Sequence, residues 1–245
     1  MEELFKQLPE LVREETIPEI PTRIRWRARF FGKGQLWEYI RNYYEEESVR
    51  RIPFYLPYIY MKEAFRYLCR YADIPKKQVS MVVIDGGDAR TDYFFYEFLE
   101  ELNYLTIVTE RKAYFEGLQE RAFQELGLLI DLVLPWEEKN LRGNLVWDFT
   151  EKLQRPDCYP QACICFVPHK KEWKIKELLK ECPSITAVSI RGVENGKLSL
   201  RPSLAESFLV PSGFPFRKSR CDELKTWCRK KRWYVKMNVR TPEKP

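Results

Sequence analysis

Six apolar runs lie between residues 79 and 190, at 79–84, 104–109, 128–134, 144–149, 162–167 and 185–190. Stretches with helical periodicity separate several of them, at 92–102, 113–126 and 170–182. A half-solvated strand alternates apolar with polar residues. These runs are apolar almost throughout, as strands buried on both faces must be. Helices then have to cover both faces, and strands alternating with helices imply parallel pairing. Right-handed crossovers complete the expectation of an α/β fold with a doubly wound, mostly parallel sheet of six strands.

The rest of the chain is organised around this block. Residues 1–75 read as an N-terminal α+β region, 76–216 as the α/β domain and 217–245 as a basic C-terminal helix and tail. In the first region a helix is expected over 3–15. In "TRIRWRARFF", Arg23, Arg25, Arg27 and Arg29 alternate with apolar residues, as on a strand with one cationic face. Residues 32–47 read as a glycine turn and a helix. Pro53 and Pro57 forbid a helix across the aromatic-rich segment that follows, until one becomes allowed over 61–72. The aromatics between 22 and 75 exceed what so small a region could bury alone, so it is expected to pack on the sheet. Near the far edge, Asn195-Gly196 predicts a two-residue hairpin turn between "RGVE" and "KLSLR". Ser219, with Asp222 three places on, reads as the N-cap of the last helix.

Hydrophobic residues make up 44% of the 245 and aromatics 15%, ample for a core. No window approaches the roughly 20 apolar residues of a membrane-spanning helix. The start, "MEELFKQLPELVREE", lacks the basic and apolar segments of a secretory signal, which points to the cytoplasm. The seven cysteines show no paired CxxC spacing and read as reduced, half-buried thiols. Cys163 and Cys165 would share a strand face, Cys221 and Cys228 a helix face. With His169 the single histidine, neither a zinc site nor a histidine pair is expected, and "VPHKKEW" reads as an exposed loop.

The segment "VVIDGGDARTDYFFYEFLEELNYLTIVTE", residues 82–110, carries an ordered set of features. An apolar strand meets Gly86 and Gly87, a helix capped by Thr91 or Asp92 follows, and a second apolar strand ends on Glu110. Gly86 and Glu110 stand 24 positions apart, close to the roughly 20 of dinucleotide-binding units. In order and spacing, residues 79–190 resemble a Rossmann-type nucleotide-binding domain. The resemblance implies that Gly86, Gly87, Asp88, Arg90 and Thr91 would face the phosphates of a nucleotide and Glu110 its ribose, with NAD the first cofactor to consider. S-adenosylmethionine and other nucleotides are further candidates. The motif departs from the family's GxGxxG, because Asp88 and Arg90 or Thr91 stand where later glycines belong. Asp85 and Asp88 would also repel a pyrophosphate. On the bare physics, two glycines can serve only to turn a strand into a helix.

Two other chemistries are written in the sequence. Asp85, Asp88 and Asp148 would lie near the C-terminal edge of the sheet, where clustered carboxylates can hold Mg²⁺. Solvated turn carboxylates are the ordinary alternative, and no metal site is assigned. Residues 217–240 hold ten bases and two acids, while 1–21 carry a net charge of −4. "CRKKRWYVKMNVR" interleaves bases with aromatics, a composition suited to nucleic acid or another acidic partner. Three readings therefore stand. The chain is a binding, regulatory or catalytically degenerate scaffold, a nucleotide-dependent enzyme such as an NAD(P)-dependent oxidoreductase, or a nucleic-acid-acting protein. No catalytic set stands out.

Overall fold

The computed structural model describes residues 55–87, 89–137, 140–168, 172–195, 198–200 and 218–242. The expected N-terminal helix, the arginine-striped strand, the helix over 32–47 and His169 lie outside the described residues. In chain order the elements are α1 (Leu56–Ile59), α2 (Met61–Tyr71), β1 (Ser80–Ile84), α3 (Ala89–Phe98), β2 (Tyr104–Val108) and α4 (Lys112–Leu126). They continue with β3 (Leu129–Val133), β4 (Leu145–Asp148), β5 (Ile164–Phe166), α5 (Glu172–Glu181), β6 (Thr186–Asn195), β7 (Leu198–Leu200), α6 (Lys218–Lys230) and β8 (Tyr234–Arg240). The short α1 contains Pro57, against the expectation of no helix before 61, because a proline in a first helical turn forfeits no intrahelical bond.

All six expected strands form. The sheet order is β3-β2-β1-β4-β5-β6-β7, and β1 to β6 pair in parallel throughout. This is the 3-2-1-4-5-6 order of a Rossmann-like doubly wound sheet. The order reverses between β1 and β4, which are hydrogen-bonded neighbours with Ile84 opposite Asp148. That reversal opens a crevice outside the strand ends, the usual place for a ligand in such sheets.

Burial explains why the runs are apolar throughout. Every residue of β4 and β5 is buried, as are four of the five in β1 and in β2. On one face α3 lays Phe94 and Phe98 against Trp147, at centroid distances of 5.4 and 5.9 Å. Phe95 meets Phe115 of α4, and Phe65 of α2 meets Phe98 at 5.1 Å. Of the aromatic N-terminal region, α2 is thus packed on the helical layer. On the other face Val82, Ile84, Val146 and Cys165 share a core with Ile175 and Leu178 of α5.

Residues 60–190 and 237–245 form one compact unit, and 1–59 with 191–236 form another. In the second unit α6 packs on α1, the far part of β6 pairs antiparallel with β7, and Lys236 forms an ion pair with Glu194. The hairpin is present, with Asn195 opposite Leu198, so its two linking residues are 196 and 197. Asn195 is therefore the last paired residue of β6 and not a turn residue as the Asn195-Gly196 dipeptide indicates. This register sets the buried Val193 opposite the buried Leu200. The last helix starts at Lys218, so Ser219 lies inside it and is not its N-cap. Among the described residues no helix is long and apolar enough to cross a membrane.

Candidate functional site

The chain leaves β1 at Ile84 and turns through Asp85, Gly86 and Gly87 before entering α3. Each glycine has its own physical reason. A Cβ on Gly86 would stand 2.6 Å from the carbonyl oxygen of Phe149, closer than any side chain tolerates, so the turn passes against the end of β4 only without one. Gly87 has a φ of +79°, a left-handed conformation costly to residues with a Cβ.

The turn's own amides are occupied. Gly86 N–H donates to Thr91 Oγ1 at 3.1 Å, and Gly87 N–H donates to Asp85 Oδ1 at 2.8 Å. The helix expected to be capped by Thr91 or Asp92 starts earlier, at Ala89. Thr91, fully buried in the first turn, reaches backwards to Gly86 and does not cap the helix ahead of it. Arg90 also stands in that first turn, while Asp88 lies outside the described residues.

Asp85 is the centre of the arrangement. Its side chain is 2% exposed. Arg111 grips both oxygens, Nε at 2.9 Å from Oδ2 and Nη2 at 2.8 Å from Oδ1, and Thr109 Oγ1 donates to Oδ2 at 2.7 Å. Thr109 in turn accepts the Arg111 backbone N–H at 2.8 Å, which fixes the segment leaving β2. The guanidinium stacks 4.7 Å from the Tyr114 ring centroid and 5.1 Å from that of Phe115. Burial pushes the Asp85 carboxyl up, but the hydrogen bonds from Arg111, Thr109 and Gly87 and the Arg111 charge outweigh it. The net result lies below the ordinary value of 3.8. Glu110 is exposed, two residues past β2.

At the neighbouring strand end a second polar group is sealed in. Asp148 and Lys174 are both fully buried, with Nζ 2.7 Å from Oδ2. Tyr159 donates its hydroxyl to Asp148 Oδ2 at 2.8 Å, and Thr150 donates its backbone N–H to Oδ1 at 2.9 Å. Lys174 also donates to the carbonyl of Thr150 at 2.7 Å and to its hydroxyl at 2.9 Å. The Thr150 hydroxyl lies 2.6 Å from Asp148 Oδ1 and 2.7 Å from the Lys152 carbonyl, and its one proton can serve only one of them at a time. Burial first, and then the Asp148 charge, push the Tyr159 hydroxyl well above its ordinary 10. These contacts tie β4, the loop after it and α5 into one unit.

Of the three carboxylates read as a possible Mg²⁺ site, Asp88 lies outside the described residues. Asp85 and Asp148 each face a base of their own, and no group of three or more potential ligands gathers among the described residues. Arg111, Thr109, Thr150, Tyr159 and Lys174 were not singled out by sequence. Lys174 carries a legible signal. It stands four residues before Leu178 and eight before Cys182, on the buried stripe of its helix, where a base demands an internal partner. Arg111 gives no such signal, since a base just after a strand looks solvated.

No family model matches the sequence, and no curated protein matches it. Among solved structures the chain is similar to shikimate 5-dehydrogenase from Listeria monocytogenes in complex with shikimate and NAD. The identity there is 14%, over 52% of this chain and 50% of that one, with a TM-score of 0.39. It is also similar to the ligand-free 5-ketofructose reductase of Gluconobacter sp. strain CHM43, at 10% identity over 65% and 60% of the two chains, with a TM-score of 0.38. The chain thus spans about half to three-fifths of the length of these proteins.

Proposed function

We propose that this chain is a Rossmann-like binding or regulatory scaffold whose glycine turn serves the fold and does not cradle a pyrophosphate. One observation carries the reading. Gly86 and Gly87, whose N–H groups would have to meet a phosphate, donate to Thr91 and Asp85 instead. A phosphate entering there would have to break both bonds. It would also lie beside a carboxylate held ionised by Arg111. Both glycines are accounted for without any ligand, Gly86 by the closeness of Phe149 and Gly87 by its φ.

The test is calorimetric titration of NAD, NADP, S-adenosylmethionine and ATP into the full chain. The reading expects no saturable heat from any of them. Low-micromolar affinity for one would overturn it.

A second reading, an NAD(P)-dependent oxidoreductase, draws on the exposed Glu110 just past β2, which under that reading would accept ribose hydroxyl hydrogen bonds. Under this reading Gly86, Gly87, Asp88, Arg90 and Thr91 surround the phosphates, and Arg111 releases Asp85 when the ligand enters. Glu110→Ala would then weaken binding by about 1–3 kcal/mol, the cost of ribose hydroxyls left without a charged acceptor. An unchanged titration for that variant would remove the support for this reading.

A further inference from the structure

A basic surface lies at the end of α6 and belongs to neither reading of the glycine turn. Lys230, Lys231 and Arg232 are consecutive and exposed, and no ion pair joins any of them to an acid among the described residues. The bases further along are committed, Lys236 to Glu194 and Arg240 to Glu172. Next to the three free cations Tyr234 exposes 60% of its surface, while Trp233 between them is buried and anchors the turn.

The backbone at this point is unusual. Trp233 N–H donates to the Cys228 carbonyl at 2.9 Å and Arg232 N–H to the Arg229 carbonyl at 3.1 Å. That pair of bonds is a Schellman stop, whose turning residue takes a left-handed conformation. Arg232 does so, with a φ of +56°. Two other helices end on a left-handed residue, α2 at Asp73 and α4 at Gly127. Glycine carries no penalty there and aspartate tolerates the conformation, whereas an arginine is strained. A helix stop alone is better served by glycine. The arginine adds only a long, exposed cationic side chain, adjacent in the chain to two more cations and two residues before an exposed ring.

We propose that Lys230, Lys231, Arg232 and Tyr234 form a contact surface for single-stranded nucleic acid. The three cations follow successive phosphates, and the ring of Tyr234 stacks on an unpaired base. An acidic protein segment would use the cations but has no use for the exposed ring. A duplex keeps its base faces covered. Single strands satisfy both halves of the surface.

The test is fluorescence anisotropy of a fluorescein-labelled, mixed-sequence single-stranded RNA 20-mer with the full chain, across a salt series. Three phosphates predict a slope of log affinity on log salt of about −2. Arg232→Gly is the decisive variant. It removes the charge while relieving the backbone, so it should weaken binding about three- to tenfold. Its unfolding midpoint should be equal to wild type or about 2–4 °C higher. Lys230→Gln with Lys231→Gln should weaken binding and flatten the salt slope, and Tyr234→Ala should weaken it about five- to a hundredfold. Absence of binding at protein concentrations up to about 100 μM in low salt would overturn the proposal, as that is the weak limit of non-specific association. So would binding unchanged in Arg232→Gly and Tyr234→Ala. Poly-L-glutamate competing as well as unlabelled RNA, with Tyr234→Ala silent, would also overturn it and assign the surface to an acidic polypeptide.

Discussion

Arg111 holds Asp85 by a two-pronged grip, with Nε 2.9 Å from one carboxylate oxygen and Nη2 2.8 Å from the other. The Asp85 side chain is buried and that of Arg111 is 28% exposed, so the pair ties the segment leaving β1 to the segment leaving β2 with the arginine on the solvent side. Such planar pairs are both stronger and more directional than a lysine contact.

Replacing Asp85 by Asn keeps the shape and removes the charge. The hydrogen bonds from Arg111 lose an ionised acceptor, and the stability at pH 7 should fall by about 1.5–3 kcal/mol in urea unfolding. Because the folded carboxyl lies below 3.8, its contribution is complete above the unfolded value and is lost as pH falls through the folded one. The gap between wild type and Asp85→Asn should therefore narrow below about pH 4. A gap that stays constant down to pH 2 would contradict the pairing.

The glycines predict an order of damage. Gly86→Ala forces a Cβ against backbone at Phe149 and should cost about 1–3 kcal/mol or more, because neither chain can give way. Gly87→Ala has open space around its Cβ and suffers only from its φ, costing about 1–2 kcal/mol. Thermal unfolding of the two variants should rank Gly86→Ala as the worse. The reverse order would mean that the turn does not sit against β4 as described.

Lys174→Met strands the Asp148 charge inside the core and should destabilise by about 3–5 kcal/mol. Lys174→Met combined with Asp148→Leu should recover much of that loss, since an apolar pair needs no solvation. Tyr159 adds an alkaline signature. Its folded hydroxyl titrates above the unfolded value of 10, so the stability it carries is whole below pH 10 and declines as pH rises beyond it. Tyr159→Phe should lose that decline. Chemical unfolding between pH 8 and 11 reads both effects, and a double variant no better than the single would refute the ion-pair account.

Thiol labelling checks the core. Burial raises Cys158 to about 11 and Cys163 to about 12, and it lifts Cys165 well above the ordinary 9. At pH 8 iodoacetamide should leave these three unmodified in the native protein and alkylate the half-buried Cys69 first. Mass spectrometry showing Cys165 modified as fast as Cys69 would contradict the packing of α5 on the sheet.

The sheet was legible because its central strands β1, β2, β4 and β5 are buried on both faces, which leaves their runs apolar, as in "VVI" and "CICF". The hairpin was legible to within one residue. Local turn chemistry favoured Asn195-Gly196, but the pairing of buried Val193 with buried Leu200 sets the register. The glycine turn was visible, while its state was not. Whether Gly86 N–H faces a ligand or Thr91 depends on where α3 starts, and helix starts are poorly marked by sequence alone. Arg111 escaped notice because its partner lies 26 residues away across two strands. No periodicity records such a contact.

The amides of the glycine turn are committed to the protein's own side chains. Residue-resolved NMR of Gly86 and Gly87 in the full chain, without nucleotide and with millimolar NAD or NADP, tests it directly. Slow hydrogen exchange is expected at both amides, with no shift of either signal on adding nucleotide. Fast exchange in the free protein, or shifts at Gly86 and Gly87 that saturate with nucleotide and vanish in Glu110→Ala, would contradict it.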